Sequence, residues 1–212
     1  MSEFEILLPP TWVLISLNGR VEEQVSAFVS YQVEKAPVAR RHDVRVALAT
    51  PLVRVADELA SGGALALAIS TEPVDGLVGS PIAVFMPFTV PTGQQPLDLL
   101  LALAAEDPTA VAFGVGEYVG VRTSSVSDAT ASVHGALEQA AAMAKGSLSA
   151  PVSAATAERH VTRYFIGDPG DPAHWVDVSF SVTSTSLPGS SALAEASSNL
   201  FEAAIQTFRW VA

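Results

Sequence analysis

Four ionisable side chains, Asp168, Asp171, His174 and Asp177, crowd into the stretch RYFIGDPGDPAHWVDVSFSV, residues 163–182. Carboxylates and an imidazole so close together could in principle hold a divalent cation. Their spacing matches no calcium-binding loop, and the dense oxygen ligands of such a loop are missing. Gly-Asp-Pro-Gly-Asp-Pro is instead the chemistry of a turn: glycine for positive φ, proline for fixed φ, aspartate for bonds to its own backbone. Val176, Val178, Phe180 and Val182 alternate with polar residues after it, and Val161, Arg163 and Phe165 alternate before it. The stretch therefore reads as a hairpin with a polar tip, and the tip is also a possible place of protein contact.

Other constellations that could carry chemistry are weaker. GVGEYVG (Gly114, Gly116, Gly120) superficially resembles a dinucleotide fingerprint, but the third glycine is one residue late and a strand follows where a helix is required. Serine is abundant, yet there is no G-x-S-x-G elbow and no S-x-x-K. The histidines, His42, His134, His160 and His174, are scattered, with no H-E-x-x-H. Absence of cysteine removes disulfides, thiolate catalysis and cysteine-ligated metals. The carboxylate pairs Asp57-Glu58 and Glu106-Asp107 fall at expected helix ends and read as solvated. No catalytic residue, cofactor site or metal ligand is assigned, and the expectation is a non-enzymatic protein. A hydrolase assembled from dispersed residues is the remaining enzymatic alternative.

A formal net charge of −11 disfavours nucleic acid, which demands clustered cations. The charge is uneven. One basic cluster, Lys35, Arg40, Arg41 and Arg45 with Arg54 beyond it, stands out in an acidic chain. It reads either as a solvated helix end or as a docking patch for an acidic partner, and Arg40, Arg41 and Arg45 are the candidate partner-binding residues. Only 16% of the residues are charged and 49% are hydrophobic, which leaves room for an apolar face buried against a partner.

These side chains must be positioned by elements that the hydrophobic pattern outlines. FEILL and WVLISL read as strands around a proline turn. Val21, Val25, Phe28, Val29 and Val33 mark a helix ended by Pro37. Val44, Leu48, Leu52, Val55 and Leu59 mark a second helix through residue 61, kinked or restarted with Thr50 as cap and Pro51 in its first turn. ALALAIS and PIAVFMPFTV follow as strands; Pro87 inside the latter predicts a sheet edge or bulge. QPLDLLLALAAED is a short helix, and TAVAFGV with EYVGVRTSSV a strand pair. Residues 124–157, rich in Ser, Ala and Thr, read as a long excursion between strands, free to move, although VHGALEQAAAMAKG is compatible with a helix. After the hairpin, Leu193, Ser197, Leu200, Phe201, Ala204 and Phe208 predict a final buried stripe capped by Ser190 or Ser191, with Trp210 pinning the end of the chain to the core. About eight strands with helices in clumps predict one α+β domain over 1–212, a largely antiparallel β-sheet flanked by α-helices.

Two passages carry a resemblance. FEILLPPTWVLISL is similar to the opening of Mog1/PsbP-like domains, where a strand, P-x-x-W and a second strand lead into helices. VTRYFIGDPGDPAHWVDVSFSVTSTS followed by NLFEAAIQTFRWV resembles their ending, a hairpin before a helix with the pattern LF-x-x-I-x-x-[ST]-F-x-W. With Ala-rich helices and Arg far exceeding Lys, the chain resembles uncharacterised actinobacterial proteins of this type. The resemblance covers both ends and the order of elements, not the middle. It implies an α/β sandwich and a binding or accessory role, in some such domains beside larger machines including secretion systems, and no catalytic residues to carry over.

The expectation is therefore a cytoplasmic, soluble module that binds another protein or itself, as an accessory factor, chaperone or adaptor associated with a secretion system. The start, MSEFEILLPP, lacks the basic region of a secretory leader, and no apolar run is long enough for a membrane span. The rival reading is a binder of small apolar ligands.

Overall fold

In the computed structural model, residues 3–72, 79–91, 93–143, 154–168, 170–171 and 174–211 are described. Their elements are β1 (Glu3–Glu5), β2 (Trp12–Ser16), α1 (Val21–Lys35), α2 (Arg41–Ser61), β3 (Ala66–Ser70) and β4 (Ile82–Pro87), then α3 (Pro96–Glu106), β5 (Val111–Val115), β6 (Tyr118–Asp128), α4 (Thr130–Met143), β7 (Ala157–Gly167), β8 (Trp175–Thr185), α5 (Ser190–Ile205) and β9 (Arg209–Val211). Seven strands form one antiparallel sheet in the order β2-β3-β4-β8-β7-β6-β5, while β1 and β9 pair as a separate ribbon. The expected α+β class, a large antiparallel sheet flanked by helices, is what the chain adopts.

Side chains alternate across the sheet, so each strand feeds two cores. In β4, Ala83 and Phe85 point to one face, with Val178 and Phe180 of β8 and Tyr164 of β7. That face is closed by α5 through Phe201 and Ile205, and by the β1–β9 ribbon, whose Phe4 stacks on Phe85 at 4.9 Å. On the opposite face, Ile15, Leu67 and the half-buried Ile82, Val84 and Met86 meet Val25, Phe28, Val29 and Val33 of α1 and the inner side of α2. Further along that second face, Val121, Phe165 and Trp175 pack on Leu100 of α3.

Several expectations need correction. Helix α2 is continuous through Pro51, and Thr50 is not its cap. Proline removes a helical N–H at a cost near 3 kcal/mol, but Leu48 and Leu52 on either side both pack against the second core and hold the turns in line. Strand β4 lies inside the sheet, between β3 and β8, rather than at an edge or bulge. Pro87 is tolerated because it is the last residue of the strand; Phe88 and Val90 then leave to join the cluster under α3. The expected excursion over 124–157 begins as strand, since β6 runs to Asp128, and continues as helix α4; residues 144–153 lie outside the described ones. In α5 the buried side chains are Ser190, Ala194, Phe201, Ala204 and Ile205, whereas Leu200 is 51% exposed. The stripe follows the small alanines because the sheet approaches closely. Gly189 occupies the cap position, and neither Ser190 nor Ser191 caps the helix. The Ser190 hydroxyl instead accepts a hydrogen bond from the Thr185 N–H at 2.8 Å and ties the helix start to the end of β8.

Two glycines are required by close approach. A Cβ on Gly167 would lie 2.1 Å from the ring of Trp175, and one on Gly120 would lie 2.6 Å from the ring of Phe113. Each is a strand position over which an aromatic from the neighbouring strand lies flat.

Candidate functional site

The carboxylates of the 167–175 turn are directed to separate partners. Asp168 Oδ1 accepts the Gly170 N–H at 2.7 Å, and its carbonyl accepts the Trp175 indole N–H at 3.0 Å. Asp171 pairs with His174 at 2.7 Å. Asp177 lies on the opposite side of the hairpin stem in an ion pair with Arg163. Each group therefore closes the turn or braces the strands, and among the described residues no three His, Asp or Glu side chains gather as a ligand set. The GVGEYVG stretch is the tight β5–β6 hairpin, with Val115 opposite Tyr118.

A hydroxyl–imidazole contact occurs at His160, whose Nε2 lies 2.8 Å from Ser184 Oγ. Glu158 approaches the same nitrogen, at 4.0 Å. In a nucleophilic triad the carboxylate must hold the other ring nitrogen. Ser184 is also buried, so this contact is built as packing rather than as a relay.

The basic cluster resolves into unequal members. Arg41 donates to the carbonyls of Glu34 at 3.1 Å and Ala36 at 3.3 Å, satisfying acceptors that the end of α1 leaves open. Arg40 faces Asp43, and Arg54 faces Glu58, both at exposed spacings along α2. Lys35 meets Glu72 at 3.5 Å and lies over the Tyr31 ring, and both contacts raise its pKa, the Tyr31 contact most. Arg45 is exposed and has no carboxylate partner among the described residues. The structure thus brings Arg40, Arg41 and Arg45 to one end of α2, but gives Arg41 an internal task.

What lies beneath and beside that end is apolar. Helix α2 spans 21 residues, yet only Ala56 is buried. Val46 is 58% exposed, and Val38, just before the helix, is 78% exposed. Between α1, α2 and the sheet opens a cleft of about 430 Å³, lined chiefly by Phe28, Leu48, Leu52, Leu67, Ile69 and Ile82, with Gln32, Ser70, Thr71 and Ser80 as its polar groups. Ala47 and Pro51 also border it. Pro51 has no N–H to give the Ala47 carbonyl. A concave apolar surface with a few fixed polar groups is the usual form of a binding site.

Reading the residues alone missed the cleft. Its walls come from α1, α2, β3 and β4, four elements that no spacing rule joins. One signal was present: α2 carries Val44, Leu48 and Leu52 on one side and Val46, Val53 and Val55 elsewhere around its circumference, more apolar surface than one buried stripe needs. Among the described residues no helix is long and apolar enough to cross a membrane. Comparisons with protein-family models, with curated proteins and with solved structures find nothing that matches this chain.

Proposed function

We propose that this chain is a non-enzymatic accessory module, a chaperone or adaptor for another protein, and that the outer surface of α2 with its basic N-terminal end is the face it presents. The observation that carries this reading is the burial of α2, a 21-residue helix with one buried residue and with Val46 and Val55 exposed. Surplus apolar surface beside unpaired positive charge suits a partner segment that is apolar with an acidic flank. The resemblance of both chain ends to Mog1/PsbP-like domains supports an accessory role, and a secreted partner is the proposed client.

The test is capture of partner by tagged full-length chain, compared with Val46→Asp and with the Arg40→Glu/Arg45→Glu double variant. All three positions are exposed, so folding should be unchanged within about 0.5 kcal/mol. Capture is expected to be lost with Val46→Asp and to become slower with the double variant. Equal capture by Val46→Asp would remove α2 from the interface. Arg41 is a poor test residue, because its replacement frees the end of α1.

The cleft supports a second reading, retention of a small apolar ligand. Leu52→Trp would fill it. Native mass spectrometry of the purified chain should then show an adduct that Leu52→Trp lacks; an adduct unaffected by Leu52→Trp would place the ligand elsewhere.

A further inference from the structure

On the other face of the sheet, away from α2, a polar groove of about 280 Å³ runs between α5 and strands β6 and β7. Arg122 of β6 and Glu202 of α5 form an ion pair across it, 80 residues apart in sequence. Ser124, Ser191, Ser198 and Asn199 supply hydroxyl and amide groups along its walls, and Glu195 stands on the same side of α5 as Glu202. None of this would distinguish the groove from ordinary polar surface without Tyr164.

Tyr164 lines the groove and is only 1% exposed. Its ring is fixed between Phe113, edge-on at 6.0 Å, and Phe201 at 6.1 Å. The hydroxyl has no hydrogen-bond partner among the described residues. Burial pushes its pKa up and the Glu202 carboxylate adds to that rise, so the group is a neutral donor under all ordinary conditions. Among the described residues the fully buried side-chain polar atom without a partner is the Trp210 indole nitrogen, not this hydroxyl; the little exposure that Tyr164 keeps is at its oxygen, which opens as a donor at the base of the groove.

The charge pattern selects the ligand class. Arg122 is neutralised by Glu202, so the groove offers no free cation to an anion. Glu195 has no ion-pair partner among the described residues, so the uncompensated charge is negative. The remaining polar groups are hydroxyl and amide, with the His160 imidazole, whose Nε2 is already engaged by Ser184 Oγ. The volume lies just below the usual range of ligand sites, about 300–1,000 Å³, and so suits a small ligand. We infer that this groove binds a small polyhydroxylated amine, its ammonium on Glu195 and a hydroxyl on Tyr164. This inference is independent of the α2 reading, which uses the opposite face.

Glucosamine and glucose are matched probes, alike in shape and different in one charged group. Each is titrated below neutral pH into the isotope-labelled full chain while backbone amide resonances are followed. Glucosamine should shift the amides of Ser124, Tyr164 and Asn199, and bind about 2–5-fold tighter than glucose, the range of one exposed ion pair. Glu195→Gln should erase that preference. Tyr164→Phe should weaken glucosamine by roughly 2–10-fold while melting at the wild-type temperature, because the hydroxyl bonds to nothing in the free protein. Equal binding of the two sugars by the unaltered chain would overturn the assignment. So would absence of shifts in the groove, or full affinity in Tyr164→Phe.

Discussion

The two faces of the sheet are packed in different ways. Under α5 the contacts are aromatic and sealed: Phe180 stacks on Phe201 at 4.6 Å, Trp12 lies 5.6 Å from Phe201, and Phe4 stacks on Phe85 and Phe208. Phe85, Phe180 and Phe201 are each 0% exposed. Under α2 the contacts are mostly aliphatic and half-open, with Leu48 and Leu52 only partly buried over a cleft. Sealed packing holds a sheet together, whereas an apolar layer left unsealed keeps free energy that a partner can release on docking. The difference assigns stability to the sealed aromatic packing under α5 and protein recognition to the open face under α2.

Truncating one side chain on each face would break or sharpen that contrast. Phe201→Ala should cost about 3–5 kcal/mol, the range for a fully buried phenylalanine. Leu52→Ala, beside the cleft, should cost only about 1–2 kcal/mol, because part of its surface is already in water. Chemical denaturation of the two variants gives both numbers. Similar losses would mean that α2 is as deeply built into the fold as α5, and the division of labour would fail.

Pro51 offers a second lever, smaller and of opposite sign. In a helix interior proline is about 3 kcal/mol worse than alanine. It stiffens the unfolded chain as well, which returns about 0.4–1 kcal/mol. Pro51→Ala should therefore stabilise the protein by about 2 kcal/mol and slow amide exchange along α2 more than along α5. An unchanged exchange profile would show that the helix has relaxed around the proline and that its loose packing has another origin.

How much of this was legible in the residues follows the same division. Strands with strict alternation, such as Val176–Val182, announce themselves, because burial on one face of a sheet imposes a period of two. Helix α1 is equally plain, with Val25, Phe28, Val29 and Val33 all buried. Pro87 misled because its meaning depends on whether it lies inside a strand or ends it, and the strand end is fixed by pairing with Val176, far along the chain. Leu200 misled because a large apolar residue was preferred to Ala194, although close helix–sheet contact selects small ones; Ala204, in the expected stripe, is buried. Arg40, Arg41 and Arg45 were legible as a cluster but not as unequal, since the carbonyls that occupy Arg41 become reachable only once α1 ends and the chain turns back. The groove at Tyr164 was invisible: Arg122 and Glu202 meet only through the folded sheet.

A third region, the far end of the sheet, relies on neither kind of packing. Asp107 and Asp128 each stand two residues before a threonine and bond to it. Asp107 Oδ1 accepts from the Thr109 hydroxyl at 2.7 Å and its N–H at 2.8 Å, and the Thr109 hydroxyl accepts the Ser124 N–H at 2.9 Å. Asp128 Oδ1 accepts the Thr130 N–H at 2.8 Å, and the Thr130 hydroxyl accepts the Ala157 N–H at 2.9 Å. Each pair is a relay that pins a strand-to-helix or helix-to-strand loop to a neighbouring strand. The hydroxyl and N–H of the threonine hold both aspartates below the usual carboxylate range. A carboxylate depressed in the folded state contributes stability that is complete above the unfolded value and is lost as pH falls through the folded one. Melting temperature should accordingly begin to fall below about pH 4, and Asp107→Asn/Asp128→Asn should flatten that decline while leaving the Phe201→Ala and Leu52→Ala losses unchanged at neutral pH. The effect should be the smallest of the three, because both aspartates face water. An identical acid decline in the double variant would move the acid sensitivity to other carboxylates and leave the relays as geometry alone.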